Sequence, residues 1–324
     1  MSINSKELKA IYLSMFRIRE VEETIANRYS EKEMRCPTHL SIGQEAVAAV
    51  YGHLISKLDY AVSTHRAHAH YLAKGGNLKS MIAEIYGKKT GCSNGNGGSM
   101  HLIDKEVSFM GSTAIVGGTI PVGVGLGLSI ELKNENRIST VFIGDGATEE
   151  GVFYEAINFA VLRNLPVLFI CENNLYSVYS GLNVRQPENR SIQSYVKSLG
   201  VEGDNGDGYN VEEIYTKMEI AINHVRKGSG PYFLELFTYR HREHCGPNFD
   251  DHLEYRSKEE YSMWNSRDPM SSIEAECLTF VSESELVEAK NKIKKEIEEA
   301  FKYAQNSPWP KYNDLNKYLY KETV

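Results

Sequence analysis

Hydrophobic and polar positions recur along this chain at two different spacings. From residue 5 to 29, apolar side chains return every three or four residues, which indicates an amphipathic helix. The same spacing predicts further helices over residues 44–55, 78–86, 149–163, 211–226 and 283–305. Short apolar runs predict strands over residues 138–143, 166–171 and 232–237. The chain therefore contains both types of element in its middle.

The order of these elements indicates the fold class. The run at 166–171 is continuously apolar, as expected of a strand that is buried on both faces. Strands that alternate with helices are typical of βαβ units on a parallel sheet. We therefore expect one α/β domain over residues 1–324, a mainly parallel sheet flanked by helices, with helical extensions at both ends. The tail from Pro308 is expected to pack on a partner or to stay loose.

Composition excludes several classes of function. The net charge of -7 over 324 residues argues against binding to nucleic acid, which rests on Lys and Arg. No apolar run approaches the roughly 18 residues needed to cross a bilayer. The five cysteines are scattered and suggest neither a disulfide framework nor a C-x-x-C metal site. The polar first residues lack a secretory core, so we expect a cytoplasmic protein.

Two polar turns follow neighbouring predicted strands. Gly144-Asp145-Gly146 follows the strand at 138–143, and Asn173-Asn174 follows the next one. Ligands bind in open α/β sheets at the carboxyl ends of strands, so Asp145 and an asparagine are expected to face each other there. Mg²⁺ prefers such oxygen ligands, and flanking glycines let the backbone approach a phosphate. The alternative is that these are only a tight turn and a cap.

Together the two turns match the thiamine diphosphate motif, which begins Gly-Asp-Gly and closes with Asn-Asn. The chain resembles the alpha subunit of the decarboxylating component of pyruvate and acetoin dehydrogenase complexes. The resemblance implies a thiamine diphosphate-binding fold and the binding of thiamine diphosphate with Mg²⁺. Further resembling stretches are residues 38–46, 63–68, 97–101, 115–117 and 239–240.

The resemblance also implies roles for individual residues. The metal ligands would be the side chains of Asp145 and Asn174 and the backbone carbonyl of Tyr176. The aminopyrimidine would be held by backbone groups of Ile115 and Val116. The diphosphate would lie against Arg66, Gly146, Ala147 and His244, and His65 and Gly144 would also bind the cofactor. Catalytic roles fall to His39, His68 and His244, with His39 and His68 at the substrate entrance.

The resemblance implies that this chain is half of an enzyme. In the family, a glutamate that activates the cofactor belongs to a beta subunit, and 324 residues leave no room for that second domain. We expect an α2β2 heterotetramer that decarboxylates a pyruvate-like 2-oxo acid, or cleaves acetoin, and passes the acyl unit to a lipoyl domain. The alternatives are transfer of a two-carbon unit to a small aldehyde or nucleotide sugar, and a non-catalytic regulatory or structural homologue.

One loop departs from the family pattern. The family reads Tyr-Arg-x-His-Gly-His-Ser, whereas here Arg242 replaces histidine, Glu243 replaces glycine and Cys245 replaces serine. Because the loop borders the path of the acceptor, these changes leave the acceptor and the 2-oxo acid open. Cys245 is either inert or, beside His244, a nucleophile of lowered pKa.

Three other patterns suggest alternative sites. His65, His68 and His70 are closely spaced, but their spacing fits no common zinc pattern. The glycines at 123–127 resemble a dinucleotide fingerprint, but Leu128 stands where its third glycine belongs, so a closely packed helix is expected. The glycine-rich loop at 91–98 is either a flexible connection or a mobile loop over the cofactor.

Overall fold

The computed structural model describes residues 3–314 and 317. Its α-helices are α1 Ser5–Arg28, α2 Glu45–Leu54, α3 His68–Ala73, α4 Leu78–Ile85, α5 Thr119–Lys133, α6 Gly151–Leu162, α7 Leu182–Arg185, α8 Ile192–Ser198, α9 Val211–Arg226, α10 Lys258–Ser266, α11 Pro269–Cys277 and α12 Glu283–Asn306. Its strands are β1 Tyr60–Ser63, β2 Phe109–Ser112, β3 Ser139–Gly144, β4 Val167–Asn173, β5 Tyr176–Ser177, β6 Ser180–Gly181, β7 Glu202–Asp207 and β8 Tyr232–Phe237.

The main sheet is parallel and has six strands in the order β2-β1-β3-β4-β8-β7. Strand β4 is buried along its whole length between β3 and β8, as its continuous apolar run predicts. The predicted α/β fold class is therefore confirmed. Strands β5 and β6 form a separate antiparallel hairpin that follows β4.

Three strands of the sheet were not predicted from the sequence. Strand β7 reads Glu-Gly-Asp-Asn-Gly-Asp and lies at the edge of the sheet, where backbone pairing with β8 is enough to fix it. Strands β1 and β2 have four residues each, too few for a periodic signal. Pairing with longer neighbours, rather than local preference, determines these three strands.

Helices cover both faces of the sheet, and the larger hydrophobic core runs from α1 to α12. It includes Leu8 and Ile11 of the first helix and Phe301 and Ala304 of the last. Helix α5 packs on the sheet through its glycines, because a Cβ at Gly123 would lie 2.3 Å from Val141 Cγ2. This contact confirms the closely packed helix that was expected at 123–127.

Two expectations about element ends need correction. The helix predicted over 149–163 begins only at Gly151, because Asp145–Glu149 forms a 3₁₀ helix. The start of the tail packs on its own chain, since Pro308 O accepts a hydrogen bond from Lys89 N at 2.9 Å. The rest of the tail, apart from residues 309–314 and 317, lies outside the described residues. Among the described residues, every helix is too short or too polar to span a bilayer.

Candidate active site

The two polar turns meet at the carboxyl edge of the sheet. Strands β3 and β4 are neighbours in register, with Gly144 opposite Glu172. Asp145 and Asn174 therefore follow adjacent strands and line the same cavity, together with Arg66 and Tyr176. The βαβ connection through α6 brings these side chains together, as the sequence predicted.

Asp145 is a buried carboxylate that is already paired with a cation. Its Oδ2 accepts a hydrogen bond from Arg185 Nη2, and Arg185 Nη1 lies 2.5 Å from Glu149 Oε1. Burial raises the pKa of Asp145, while the Arg185 guanidinium opposes that rise. Arg185 comes from α7, 40 residues further along the chain, and no sequence pattern predicted its position.

The two asparagines have different roles at the end of β4. Asn173 is buried, donates to Glu235 Oε1 at 2.8 Å and accepts from Leu175 N at 3.0 Å, so its side chain shapes the turn. Asn174 donates to Gln44 Oε1 at 3.3 Å and lines the cavity. Only Asn174 therefore presents its amide to the cavity. Gln44 also lines the cavity, and although it lies in the resembling stretch 38–46, the sequence predicted no role for it.

The residues of this edge fit a metal ion with a diphosphate. A carboxylate and an amide oxygen are hard ligands of the kind that Mg²⁺ prefers. A Cβ added at Gly144 would meet no described heavy atom within 4 Å, which leaves room for a phosphate beside the backbone. A Cβ at Gly146 would lie 2.8 Å from Ser177 Oγ, so that glycine is needed for close packing. Ala147, Ile115 and Val116 also line the cavity.

Three histidines gather at one side of the cavity. The ring centroids of His39, His65 and His244 lie 4.7–5.3 Å apart. Burial, with Arg66 as the next cause, lowers the pKa of His39 to about 2, of His65 to about 4 and of His244 to about 3. All three imidazoles are therefore neutral at neutral pH.

Arg66 organises this side of the cavity. Its guanidinium donates to the backbone oxygen of Leu40 and to that of His244, the latter at 3.0 Å. Burial and the nearby Arg240 lower the pKa of Arg66 to about 9, which still leaves it charged at neutral pH. A buried, charged guanidinium beside the glycines of the sheet edge suits an anionic group.

His68 does not lie at the substrate entrance, and that expectation was wrong. Its ring is fully buried, with Nδ1 at 2.9 Å from Glu22 Oε1 and Nε2 at 2.8 Å from Ser99 Oγ. Glu22 also accepts from Ser41 N at 3.1 Å. Both ring nitrogens are engaged, so His68 connects Ser99 to Glu22, and Glu22 in turn holds the backbone at Ser41.

The neighbouring histidines do not converge on a common point. His70 Nδ1 lies 2.7 Å from Ser63 Oγ, and its Nε2 lies 3.1 Å from Glu172 Oε2. His65 faces the cavity, whereas His68 and His70 face separate buried partners. This arrangement agrees with the sequence reading that the three do not form a zinc site.

The glycine-rich loop is anchored by a buried side chain of a neighbouring helix. It wraps around the carboxylate of Glu84, a fully buried residue of α4. A carboxylate that accepts several backbone N–H groups fixes the conformation of the backbone around it. The donors are Ser93 N at 2.7 Å, Gly95 N at 2.9 Å, Gly97 N at 2.6 Å and Gly98 N at 3.2 Å.

The loop that departs from the family pattern is held by the substituted residues themselves. Arg242 pairs with Glu23 of α1 and donates to Pro247 O at 2.8 Å. Glu243 accepts from Asn248 N at 2.8 Å and from its Nδ2 at 2.9 Å. These contacts explain how two charged side chains are accommodated in place of histidine and glycine.

Cys245 is exposed in the same loop. Partial burial and the nearby Glu243 raise its pKa, and only Arg66 acts in the other direction. A raised pKa reduces the thiolate fraction at neutral pH. The geometry therefore favours an inert cysteine over a nucleophile.

These features define an α/β domain whose sheet edge can hold a diphosphate and a cation. Residues 13–313 match the dehydrogenase E1 component family. Similar proteins include pyruvate dehydrogenase E1 component subunit alpha of Rickettsia bellii, 37% identical over 97% of each chain. The corresponding subunit of Porphyra purpurea is 33% identical over 99% of this chain and 95% of its own. That of Zymomonas mobilis is 34% identical over 96% of this chain and 87% of its own.

The chain belongs to the dehydrogenase E1 component family. It is an enzyme chain of the thiamine diphosphate-dependent 2-oxo acid dehydrogenases, and family membership implies thiamine diphosphate as the cofactor.

Proposed function

We propose that the chain is the alpha subunit of an enzyme that decarboxylates pyruvate with thiamine diphosphate and Mg²⁺ and passes the acyl unit to a lipoyl group. The observation that carries this proposal is the single cavity lined by Asp145, Asn174, Arg66 and His244. The relatives named above, similar over nearly the whole chain, support pyruvate as the 2-oxo acid.

Each end of the cofactor has its own set of residues in this proposal. Asp145, Asn174 and the carbonyl of Tyr176 bind Mg²⁺, whose positive charge neutralises the diphosphate. Arg66 and His244 would hold the diphosphate together with Gly146 and Ala147, and His65 and Gly144 would also bind the cofactor. Backbone groups of Ile115 and Val116 hold the aminopyrimidine. When bound, thiamine diphosphate accepts the electron pair left by the departing CO₂.

The neutral histidines supply hydrogen-bonding groups at the cavity. His39 Nδ1 is buried and has no hydrogen-bond partner among the described residues. Because their lowered pKa values keep both rings neutral, His39 and His244 can donate hydrogen bonds to a substrate group or accept them from it, and so orient it in the cavity. We assign catalytic roles to His39 and His244, whereas His68 is a positioning residue.

The open side of the cavity supports the proposal of a second subunit. Ile115 and Val116 line the cavity and are 69% and 49% exposed, unusually so for apolar side chains beside a cofactor. A beta subunit that carries the activating glutamate would cover them in an α2β2 assembly. We propose further that the alpha chain forms one domain, which the core shared by α1 and α12 supports.

The loop from His241 to Asp250 bears on the acceptor. A nucleotide-linked acceptor needs a free cation for its phosphates, but the Arg242 guanidinium is paired with Glu23 and donates to Pro247 O. This observation favours the lipoyl group over a nucleotide sugar. The relatives named above give no support to the transketolase-like or the non-catalytic alternative.

Calorimetry on the complex with its beta subunit tests the proposal. Thiamine diphosphate with Mg²⁺ should bind to the wild type, and Asp145→Ala should abolish that binding. Asp204→Ala is the matched control, because Asp204 pairs with Lys217 on the opposite side of β8 from the site strands. Unchanged binding in Asp145→Ala would overturn the proposed site. Failure to acylate a free lipoyl domain from pyruvate would overturn the proposed acceptor.

A further inference from the structure

Arg185 is a partly buried cation in direct contact with a proposed metal ligand. Its side chain is 10% exposed, and its guanidinium contacts three partners. Nη2 contacts Asp145 Oδ2, Nη1 lies 2.5 Å from Glu149 Oε1, and Nε donates to Ser180 O at 3.0 Å. A guanidinium and a divalent cation on the same carboxylate repel each other and compete for it.

Arg185 belongs to the same short segment of the chain as Tyr176, another proposed ligand of the metal. Residues 175–186 comprise the β5–β6 hairpin and α7, and they are closed by a hydrogen bond from Leu182 N to Leu175 O at 3.1 Å. Tyr176, which would supply the third metal ligand, lies near the beginning of this segment. Arg185 lies near its end. The competing cation and a ligand of the metal are therefore carried by one short piece of chain.

Glu149 offers the guanidinium a second position. It is paired with Arg185 and also accepts from Gln186 Nε2 at 2.9 Å. The Glu149 side chain is 29% exposed, whereas that of Asp145 is 3% exposed. A guanidinium that leaves Asp145 can thus remain paired with Glu149 while it moves toward solvent.

We propose that Arg185 is an internal counter-cation of Asp145 that a divalent metal ion must displace. Displacement transfers the guanidinium to Glu149 alone and frees Asp145 Oδ2 for the metal. Arg185 therefore weakens the affinity for the metal and makes metal binding dependent on a movement of residues 175–186. This inference rests on the proposed metal site at Asp145.

The test measures Mn²⁺ binding to the co-expressed complex by electron paramagnetic resonance, in the presence of thiamine diphosphate. Arg185→Met removes the charge but keeps the length of the side chain, and it should tighten Mn²⁺ binding by about tenfold. Arg190→Met is the matched control, because Arg190 lies five residues further on and stacks on Tyr195. It should bind Mn²⁺ as the wild type does.

A second variant keeps the proposal testable if Arg185→Met fails to fold. Glu149→Gln removes the second partner, so Arg185 stays on Asp145 and Mn²⁺ should bind more weakly. Equal or weaker binding in a folded Arg185→Met, or unchanged binding in Glu149→Gln, overturns the role of Arg185.

Asp145→Ala distinguishes an error in the proposed metal site from an error in the proposed role of Arg185. If Asp145→Ala binds Mn²⁺ like the wild type, the proposed metal site itself is wrong. If Asp145→Ala loses Mn²⁺ while Arg185→Met binds no more tightly than the wild type, only the role of Arg185 is wrong.

Discussion

Two irregular loops of this chain are each held by a carboxylate, but in different ways. The loop at 91–98 encloses Glu84, which is fully buried and comes from another element, α4. In the loop at 241–250, Glu243 contacts Asn248 near the surface. Of these two carboxylates, the one that orders the glycine-rich loop is therefore the more deeply buried, although that loop is flexible by composition.

The difference shows that the partners of the backbone N–H groups, more than composition, decide whether a loop is ordered. Four N–H groups converge on Glu84, and the carboxylate that accepts them is fully buried. The Glu243 contacts can be exchanged for water at little cost. We expect mutations of these contacts to lower the free energy of local opening by different amounts in the two loops.

The largest effect is expected for Glu84→Gln. Glutamine keeps the shape but loses the charge, and its NH₂ group faces N–H donors instead of accepting from them. The free energy of local opening at 91–98 should fall by about 3 kcal/mol or more. Hydrogen exchange of the Gly95 and Gly97 amides in the assembled complex measures it. Glu212→Gln, on exposed helix surface, is the control. Unchanged protection of both amides would show that the loop does not depend on the carboxylate.

Asp250→Asn should have the next largest effect, on the other loop. Asp250 is buried and pairs with Arg240 and Arg256, so asparagine leaves two buried guanidinium groups without a counter-charge. Removing one partner of a buried ion pair costs about 3 kcal/mol. Limited proteolysis should then cut between residues 241 and 256 faster than in the wild type. Asp251→Asn, next in sequence and exposed, should be cut at the wild-type rate.

The sequence predicted which residues lie at the carboxyl edge of the sheet, but not the residues that contact and position them or the neighbouring loops. Asp145 and Asn174 were found because strand periodicity and motif order place them on adjacent strands, which is information local to each strand. Glu84 and Arg185 have no local signal, because their roles depend on where distant segments pack. Glu84 reads only as one residue of a periodic helix.

His68 was placed wrongly. It lies two residues from Arg66, and the resemblance implied that both residues line the cavity. The chain turns into α3 at this point, so His68 points toward Glu22 and Ser99 while Arg66 points toward the cavity. Sequence proximity cannot give the direction of a side chain where a helix begins.

Acid should loosen the loop at 241–250 before it affects the loop at 91–98. The pKa values of His39, His65 and His244 are lowered in the folded chain. Below the ordinary histidine pKa of about 6.5, the unfolded chain therefore binds more protons than the folded chain does. Stability is therefore lost as the pH falls from about 6.5 toward the lowered pKa of each histidine, which is about 3 for His244, by at most about 1.4 kcal/mol per pH unit for each histidine.

Hydrogen exchange between pH 6.5 and 5, corrected for the intrinsic pH dependence, measures this loss. His244→Gln should flatten the pH dependence at 241–250, whereas His252→Gln, an exposed histidine, should not. Equal acid sensitivity of the two loops would contradict the assignment of the effect to the histidine cluster.

Glu243→Gly, which restores the residue that the family has at this position, should have the smallest effect. The contacts that it removes are near the surface, so the free energy of local opening at 241–250 should fall by less than about 1 kcal/mol. Glu243→Gln is the matched variant, because it keeps a side-chain oxygen for Asn248. The proteolysis rates of the two variants, compared with that of Asp250→Asn, show how much the contacts of Glu243 and of Asp250 each stabilise the loop. Because Asp250 is buried between two arginines and Glu243 is not, Glu243→Gly must be cut more slowly than Asp250→Asn. The reverse order would mean that the surface contact, which arose with the departure from the family pattern, is the one that holds the loop.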